Sequence, residues 1–139
     1  MTGPAEVHLN IRSEARNVAL AAKLIRVFCE FAAFPALAAV EVELALVEAA
    51  NNAIFHGSRT TDAKITMHAR IEADALVIEL HDSGEPLANL PGRDMPPPLE
   101  ESGRGWPLIH ALMDRIDYCS DGGVNVLTLT KSLAGAQGE

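Results

Sequence analysis

Aromatic side chains are scarce in this chain of 139 residues, which has a single Trp and a single Tyr. Stacking platforms for single-stranded nucleic acid therefore have little to be built from. Basic residues are in short supply as well. Eleven Lys and Arg stand against nineteen Asp and Glu, a net charge of −8, which argues against a nucleic-acid backbone or an anionic membrane as the main partner and favours a neutral or basic one. The two cysteines, Cys29 and Cys119, lie far apart in apolar contexts, so buried free thiols in a reducing compartment are expected rather than a disulfide or a metal pair. No stretch reaches the roughly 18 apolar residues of a membrane span, and no basic segment followed by an apolar core opens the chain, so a cytoplasmic location is expected. Gly-x-x-x-x-Gly-Lys-Ser/Thr is missing, which excludes a P-loop, and no Gly-x-Gly-x-x-Gly opens the first strand–helix unit.

What is present is apolar patterning: 48% of residues are hydrophobic, enough at this length for one domain, residues 1–139, with its own core. Val7 to Ile11 alternate apolar and polar, the period of a half-buried strand. Ser13 is placed to cap a helix from Glu14 to about Phe31 with Val18, Ala21, Ala22, Ile25, Phe28 and Cys29 on one face. Pro35 fits the start of a second helix, whose core face reads as Leu37, Val40, Leu44, Val47 and Asn51, and Gly57 fits its end. Lys64–Ile71 and Leu76–Leu80 read as a hairpin about Ala73-Asp74, and Ile116–Ser120 and Val124–Thr130 as another about Asp121-Gly122-Gly123. Between them, Pro86 to Glu101 holds five prolines and two glutamates, a long loop, before Pro107 opens a third helix ending near Met113 or Asp114. The order β-α-α-β-β-loop-α-β-β predicts an α+β two-layer sandwich, a mixed, mostly antiparallel sheet with the helices on one face.

Three polar constellations interrupt this pattern. Val40, Leu44, Glu48, Asn52 and His56 recur every four residues, one ridge of the second helix that turns from apolar to polar. A carboxylate beside an amide suits hydroxyl or water activation next to a hard cation such as Mg²⁺; a plain solvated flank fits as well. Asp82-Ser83-Gly84-Glu85-Pro86 follows a buried strand, where an Asp acceptor suits the amino group of a base, or simply makes a turn. Ser102-Gly103-Arg104-Gly105 leads into the third helix, an anion site at a helix N-terminus or a hinge. His8, His68, His81 and His110 are too scattered along the chain for a metal site, His56 reads as a helix-end hydrogen bonder, and Trp106 as packing under the long loop.

In this order the three constellations resemble the GHKL family of ATP-binding domains, and within it the stand-alone anti-sigma-factor serine kinases of bacterial partner-switching systems. The resemblance spans nearly the whole chain. It implies that Asn52 holds Mg²⁺, that Glu48 is the general base on a substrate serine, and that Asp82 reads the adenine amine of ATP. Gly84 would line the purine, with Pro86 among the same nucleotide-binding residues. Gly103, Arg104 and Gly105 would wrap the phosphates as residues of about 85–104 close as a lid. Arg104 and Arg59 are the candidates for a γ-phosphate contact, with Arg59 reading rather as a solvated loop charge. The implied partners are a STAS-type anti-anti-sigma protein as phosphoryl acceptor, a sigma factor or equivalent regulator, and a second copy of the chain, for which the apolar first helix offers a surface. Two features depart from the family. A Gly-Thr pair often enters the last strand, where its hydroxyl supports the nucleotide site, whereas Val124 and Asn125 follow Gly123 here. Either no residue takes over that support, or Asn125, Thr128 or Thr130 supplies it. The lid is also rich in proline and acid. A nucleotide-gated binding module without kinase activity is the alternative, and the catalytic half of a sensor histidine kinase is less expected, since no helix with a phospho-accepting His precedes the domain.

Overall fold

Alternation along each strand decides which residues face the helices. In the computed structural model, which describes residues 5–55, 63–87, 90 and 105–132, the elements are β1 (Glu6–Arg12), α1 (Ala15–Phe31), α2 (Ala36–Phe55), β2 (Lys64–Glu72), β3 (Ala75–Asp82), α3 (Gly105–Leu112), β4 (Arg115–Asp121) and β5 (Val124–Ser132). The strands form one sheet in the order β1-β2-β3-β5-β4. Every neighbouring pair is antiparallel, so among the described residues the sheet has no parallel member of the kind a mixed sheet would contain. Met67 sits opposite Leu80 and Ala69 opposite Ile78, and on the far side of β3 Ile78 faces Leu129 and Leu80 faces Leu127. These side chains are buried under the helices; fully burying one such as Ile78 contributes about 1.5–3 kcal/mol. The opposite side of the sheet is polar, with Glu6, His8, Thr66, His68, Arg70 and Glu79 on it by the same alternation.

The first helix buries the six residues its periodicity predicts, Val18, Ala21, Ala22, Ile25, Phe28 and Cys29. Its N-cap is Glu14 with no side-chain cap hydrogen bond, rather than Ser13. The Ser13 N–H instead donates to the Ala63 carbonyl at 2.9 Å, tying the end of β1 to the start of β2. The second helix corrects the predicted core face. Ala38, Ala39, Val42, Ala45, Leu46, Ala49 and Ala50 are buried, while Leu37 is 70%, Val40 37% and Leu44 47% exposed, and Asn51 is exposed too. Because this helix is apolar around most of its circumference, its period leaves the face undecided. The alanines let the helix approach its neighbours closely about the buried Val42 and Leu46, so Leu37, Val40 and Leu44 are left outside, while Val47 of the predicted face is partly buried against the core.

Asp121 and Val124 pair across Gly122 and Gly123, whose φ values of 62° and 84° need glycine's freedom and match a two-residue hairpin turn. Lys131, on the core side of β5, reaches across to the Glu41 carboxylate on α2 at 2.8 Å and donates to the Leu112 carbonyl at the end of α3. One buried ammonium thus ties sheet, α2 and the C-terminal end of α3 together. Cys29 is buried and Cys119 exposed, both free, so the expectation of two buried thiols holds for Cys29 alone; Cys119 stands on the polar side of the edge strand β4. No helix is long and apolar enough to cross a membrane.

Candidate functional site

Asp82 ends β3 with the same parity as Leu76, Ile78 and Leu80, so the pleat aims it toward the helix layer. Its register partner on β5 is Asn125, 3% exposed. Asn125 Nδ2 donates to Asp82 Oδ1 at 2.9 Å and to the Gly84 carbonyl at 3.0 Å, while the Gly84 N–H donates to the same Oδ1 at 2.8 Å. Ser120 on β4 donates its hydroxyl to Asn125 Oδ1 at 2.6 Å, which fixes the amide's orientation. Among the described residues Asp82 is therefore held through one oxygen, Oδ1, with Oδ2 open to a ligand's donor. Thr128 and Thr130 lie on the other side of β5. Of the three residues that could replace the family's hydroxyl, Asn125 is the one at Asp82.

Asp82 and Asn125 form the floor of a cleft whose empty space, open mouth included, is about 480 Å³. Ala49 and Ala53 of α2, Leu80, Leu127 and Trp106 give it apolar walls; Asn52, Glu85 and Tyr118 add polar groups. The combination is a largely apolar cleft with two carboxylates, Asp82 and Glu85, on its lining. Tyr118 also accepts a hydrogen bond from the Leu87 N–H at 2.9 Å, fixing the chain where it leaves Glu85. Neither Tyr118 nor the alanine wall carries a signal that sequence reading could have used, whereas Trp106 is buried on the cavity wall.

Glu48 and Asn52, one turn apart on α2, meet the start of α3 beside this cavity. A Cβ built on Gly105 would lie 2.6 Å from Glu48 Oε1 and 3.6 Å from Asn52 Nδ2, so glycine at this position leaves the Glu48 carboxylate where it stands. The free amides and positive dipole end of α3 are thus brought to the carboxylate and amide. Asn52 Nδ2 is buried without a hydrogen-bond partner among the described residues, which is costly unless a ligand completes it. Turned over, the same amide presents an oxygen, a suitable ligand for Mg²⁺ beside the Glu48 carboxylate. The donor set therefore fits that ion. Of the predicted residues, Glu48, Asn52 and Gly105 come together at one end and Asp82 with Gly84 at the other. Pro86 is exposed and is not on the cavity wall. Gly103, Arg104, Arg59, His56, Gly57 and nearly all of the predicted lid lie outside the described residues.

A single antiparallel sheet with its helices on one face, and a cleft between α2, α3 and the ends of β3 and β5, is the GHKL-type sandwich. The profile of the histidine kinase-like ATPase domain matches residues 11–131, and the chain belongs to that family. Over 96 residues it is 33% identical to an anti-sigma F factor of Clostridium acetobutylicum, covering 66% of this chain and 67% of that one. Over 87 residues it is 31% identical to an anti-sigma F factor of Clostridium perfringens, covering 58% and 62%; the chain thus spans under two thirds of the latter's length. Among solved structures, the RsbU and RsbW domains of a Mycobacterium tuberculosis protein match with a TM-score of 0.71 at 16% identity, over 92% of this chain and 32% of that one. A histidine kinase domain from Erythrobacter litoralis matches with a TM-score of 0.60 at 15% identity, over 92% and 64%. At such identities the two structures speak to the fold.

Proposed function

We propose that the protein is a cytoplasmic ATP-dependent protein-serine kinase and anti-sigma-type regulator, which phosphorylates a STAS-type anti-anti-sigma protein and holds a sigma factor or an equivalent partner. The observation that carries this is the convergence of Glu48, Asn52 and Gly105 at one end of an apolar slot whose other end is Asp82. The relatives at 31–33% identity are named anti-sigma F factors, which favours this reading over a histidine kinase, whose likeness here is one of fold. Adenine would lie between Leu80, Leu127, Ala49 and Ala53, with its amine donating to Asp82 Oδ2. The phosphates would lie toward the start of α3, where Gly105 and, by the resemblance, Gly103 and Arg104 meet them. Glu48 would accept the proton of the acceptor serine as its oxygen bonds to the γ-phosphorus and the bond to ADP breaks. Mg²⁺, held by Asn52, would neutralise charge on the phosphate oxygens.

The exposed residues Leu20, Val27 and Phe31 on α1, with Leu37, Val40 and Leu44 on α2, support a homodimer formed through the helix layer. The kinase reading is tested by incubating the protein with Mg·ATP labelled at the γ-phosphate and candidate STAS-type acceptors. A stable phosphoserine is expected, with Glu48→Gln slowing its formation about 10²–10⁴-fold while sparing ATP binding. Equal rates for Glu48→Gln and the wild type would remove Glu48 from the chemistry. ATP binding without any transfer would leave the nucleotide-gated module as the correct description.

A further inference from the structure

The side of the sheet away from the helices carries a second cluster, and it brings together histidines whose separation along the chain argues against a shared role. His8 on β1 and His68 on β2 are direct cross-strand partners. Their rings stack with centroids 3.9 Å apart and planes 13° from parallel. Glu6, 62 positions from His68 in sequence, places Oε1 2.8 Å from His68 Nε2 and 3.5 Å from His8 Nε2. The three potential ligand atoms all lie within 4.8 Å of one another. Arg70, the register partner of Glu6, does not neutralise it: its guanidinium is taken by Glu72 and Glu79, each at 2.8 Å. Both imidazoles therefore turn the same nitrogen toward one carboxylate, whose contact at 2.8 Å is with His68 itself.

We propose that Glu6, His8 and His68 form a binding site for a divalent transition metal of the Zn²⁺ class, separate from the nucleotide cleft and joining the edge strand β1 to β2. Two imidazole nitrogens and one carboxylate oxygen are a borderline donor set, suited to Zn²⁺, Ni²⁺ or Cu²⁺ and poorly suited to Mg²⁺ or Ca²⁺, which prefer all-oxygen shells. The ion would take the place of the hydrogen shared by His68 and Glu6. Solvent exposure of Glu6 and His8 leaves its remaining positions to water. Because His8 and His68 come from adjacent strands, binding would pin an edge that is otherwise held on one side only.

The test is a calorimetric titration of the full chain with Zn²⁺ in excess Mg²⁺, so that the oxygen-rich cleft is filled. One equivalent is expected to bind, with affinity falling about tenfold or more in His8→Ala and in His68→Ala and unchanged in His81→Asn, which removes a histidine of the same sheet face outside the cluster. A hundredfold excess over the dissociation constant should raise the wild-type melting midpoint by about 5–10 °C, and leave that of the His8→Ala/His68→Ala variant where it was. Absence of Zn²⁺ binding, binding as tight in His8→Ala and His68→Ala as in the wild type, or loss of binding in His81→Asn would each overturn the assignment.

Discussion

Replacing Gly105 with Ala would separate catalysis from folding more cleanly than removing the carboxylate itself. The new Cβ would fall 2.6 Å from Glu48 Oε1, whereas ordinary contact begins at 3.4 Å, so the oxygen must retreat by about 0.8 Å, the difference between those two distances. Asn52, at 3.6 Å, need not move. The displaced atom is the tip of a flexible side chain, and alanine in a helix is favoured over glycine by about 1 kcal/mol, which offsets the rotamer cost. The melting midpoint should therefore stay within about 3 °C of the wild type. The nearest atom to the Cβ is on the Glu48 carboxylate and the backbone N–H that would meet the phosphates is kept, so ATP affinity should change by less than about threefold, under 1 kcal/mol. In the mechanism proposed above, phosphoryl transfer needs Glu48 within hydrogen-bond reach of the acceptor hydroxyl, and a misplacement near 1 Å costs up to about 10²-fold in rate. Thermal unfolding, calorimetric ATP titration and single-turnover transfer measure the three quantities. A folded Gly105→Ala protein transferring at the wild-type rate would refute the reasoning, and so would parallel losses of ATP binding and transfer.

Two further perturbations act away from that carboxylate. Asn125→Ala removes both hydrogen bonds donated to Asp82 and the Gly84 carbonyl; a bond to a charged group contributes about 1.5–3 kcal/mol, so ATP affinity should fall about 10- to 100-fold, with Asn125→Thr recovering part of it through its hydroxyl. Calorimetry decides, and unchanged affinity in Asn125→Ala would mean that Asp82 does not depend on it. The Cys29 thiol is pushed up to about 11 from 9.0 by burial. Because the folded value is the higher one, its stability contribution is whole below pH 9.0 and is lost as pH rises toward about 11, by up to about 3 kcal/mol at 1.36 kcal/mol per unit. Urea unfolding from pH 8 to 10.5 should show a shallower decline in Cys29→Ala than in the wild type, and equal slopes would discount the burial effect.

Element order and strand positions were legible because both hairpins carry their signals locally: alternating apolar residues about two-residue turns, with glycines at the positive φ values of the second, although the first places Ala73 at a φ of 53°. The face of α2 was not. Leu37, Val40 and Leu44 outweigh alanine on any hydrophobicity scale, yet the core took the alanines, because close approach of α2 to α1 and the sheet is a property of the assembled layer and not of the segment. The site divides in the same way. Glu48 and Asn52 announce themselves by their four-residue spacing, and Asp82 by standing at the end of a buried strand. Asn125 stood in the sequence as one of three candidates and is singled out by the register that sets it opposite Asp82, and Gly105 read as a phosphate-wrapping residue, its place against Glu48 emerging only through the approach of α3 to α2. The His8–His68 pair is the extreme case, created wholly by the β1–β2 register.

The two ends of the cleft rest on different parts of the fold. Asp82 is held by Gly84 and, through Asn125 and Ser120, by three strands of the sheet. Glu48 and Asn52 are held by α2 and by the start of α3. No hydrogen bond among the described residues joins the two sets, which meet across the apolar walls of the cavity. Nucleotide selection and phosphoryl transfer should therefore respond to different substitutions: changes at Asp82 or Asn125 weaken adenine recognition, and changes at Glu48 or Gly105 slow transfer on bound ATP. In the kinase proposed above, such a separation lets nucleotide binding and phosphoryl transfer be set independently. Binding energy collected at the sheet end can then fix the nucleotide without requiring the carboxylate at the helix end to be engaged.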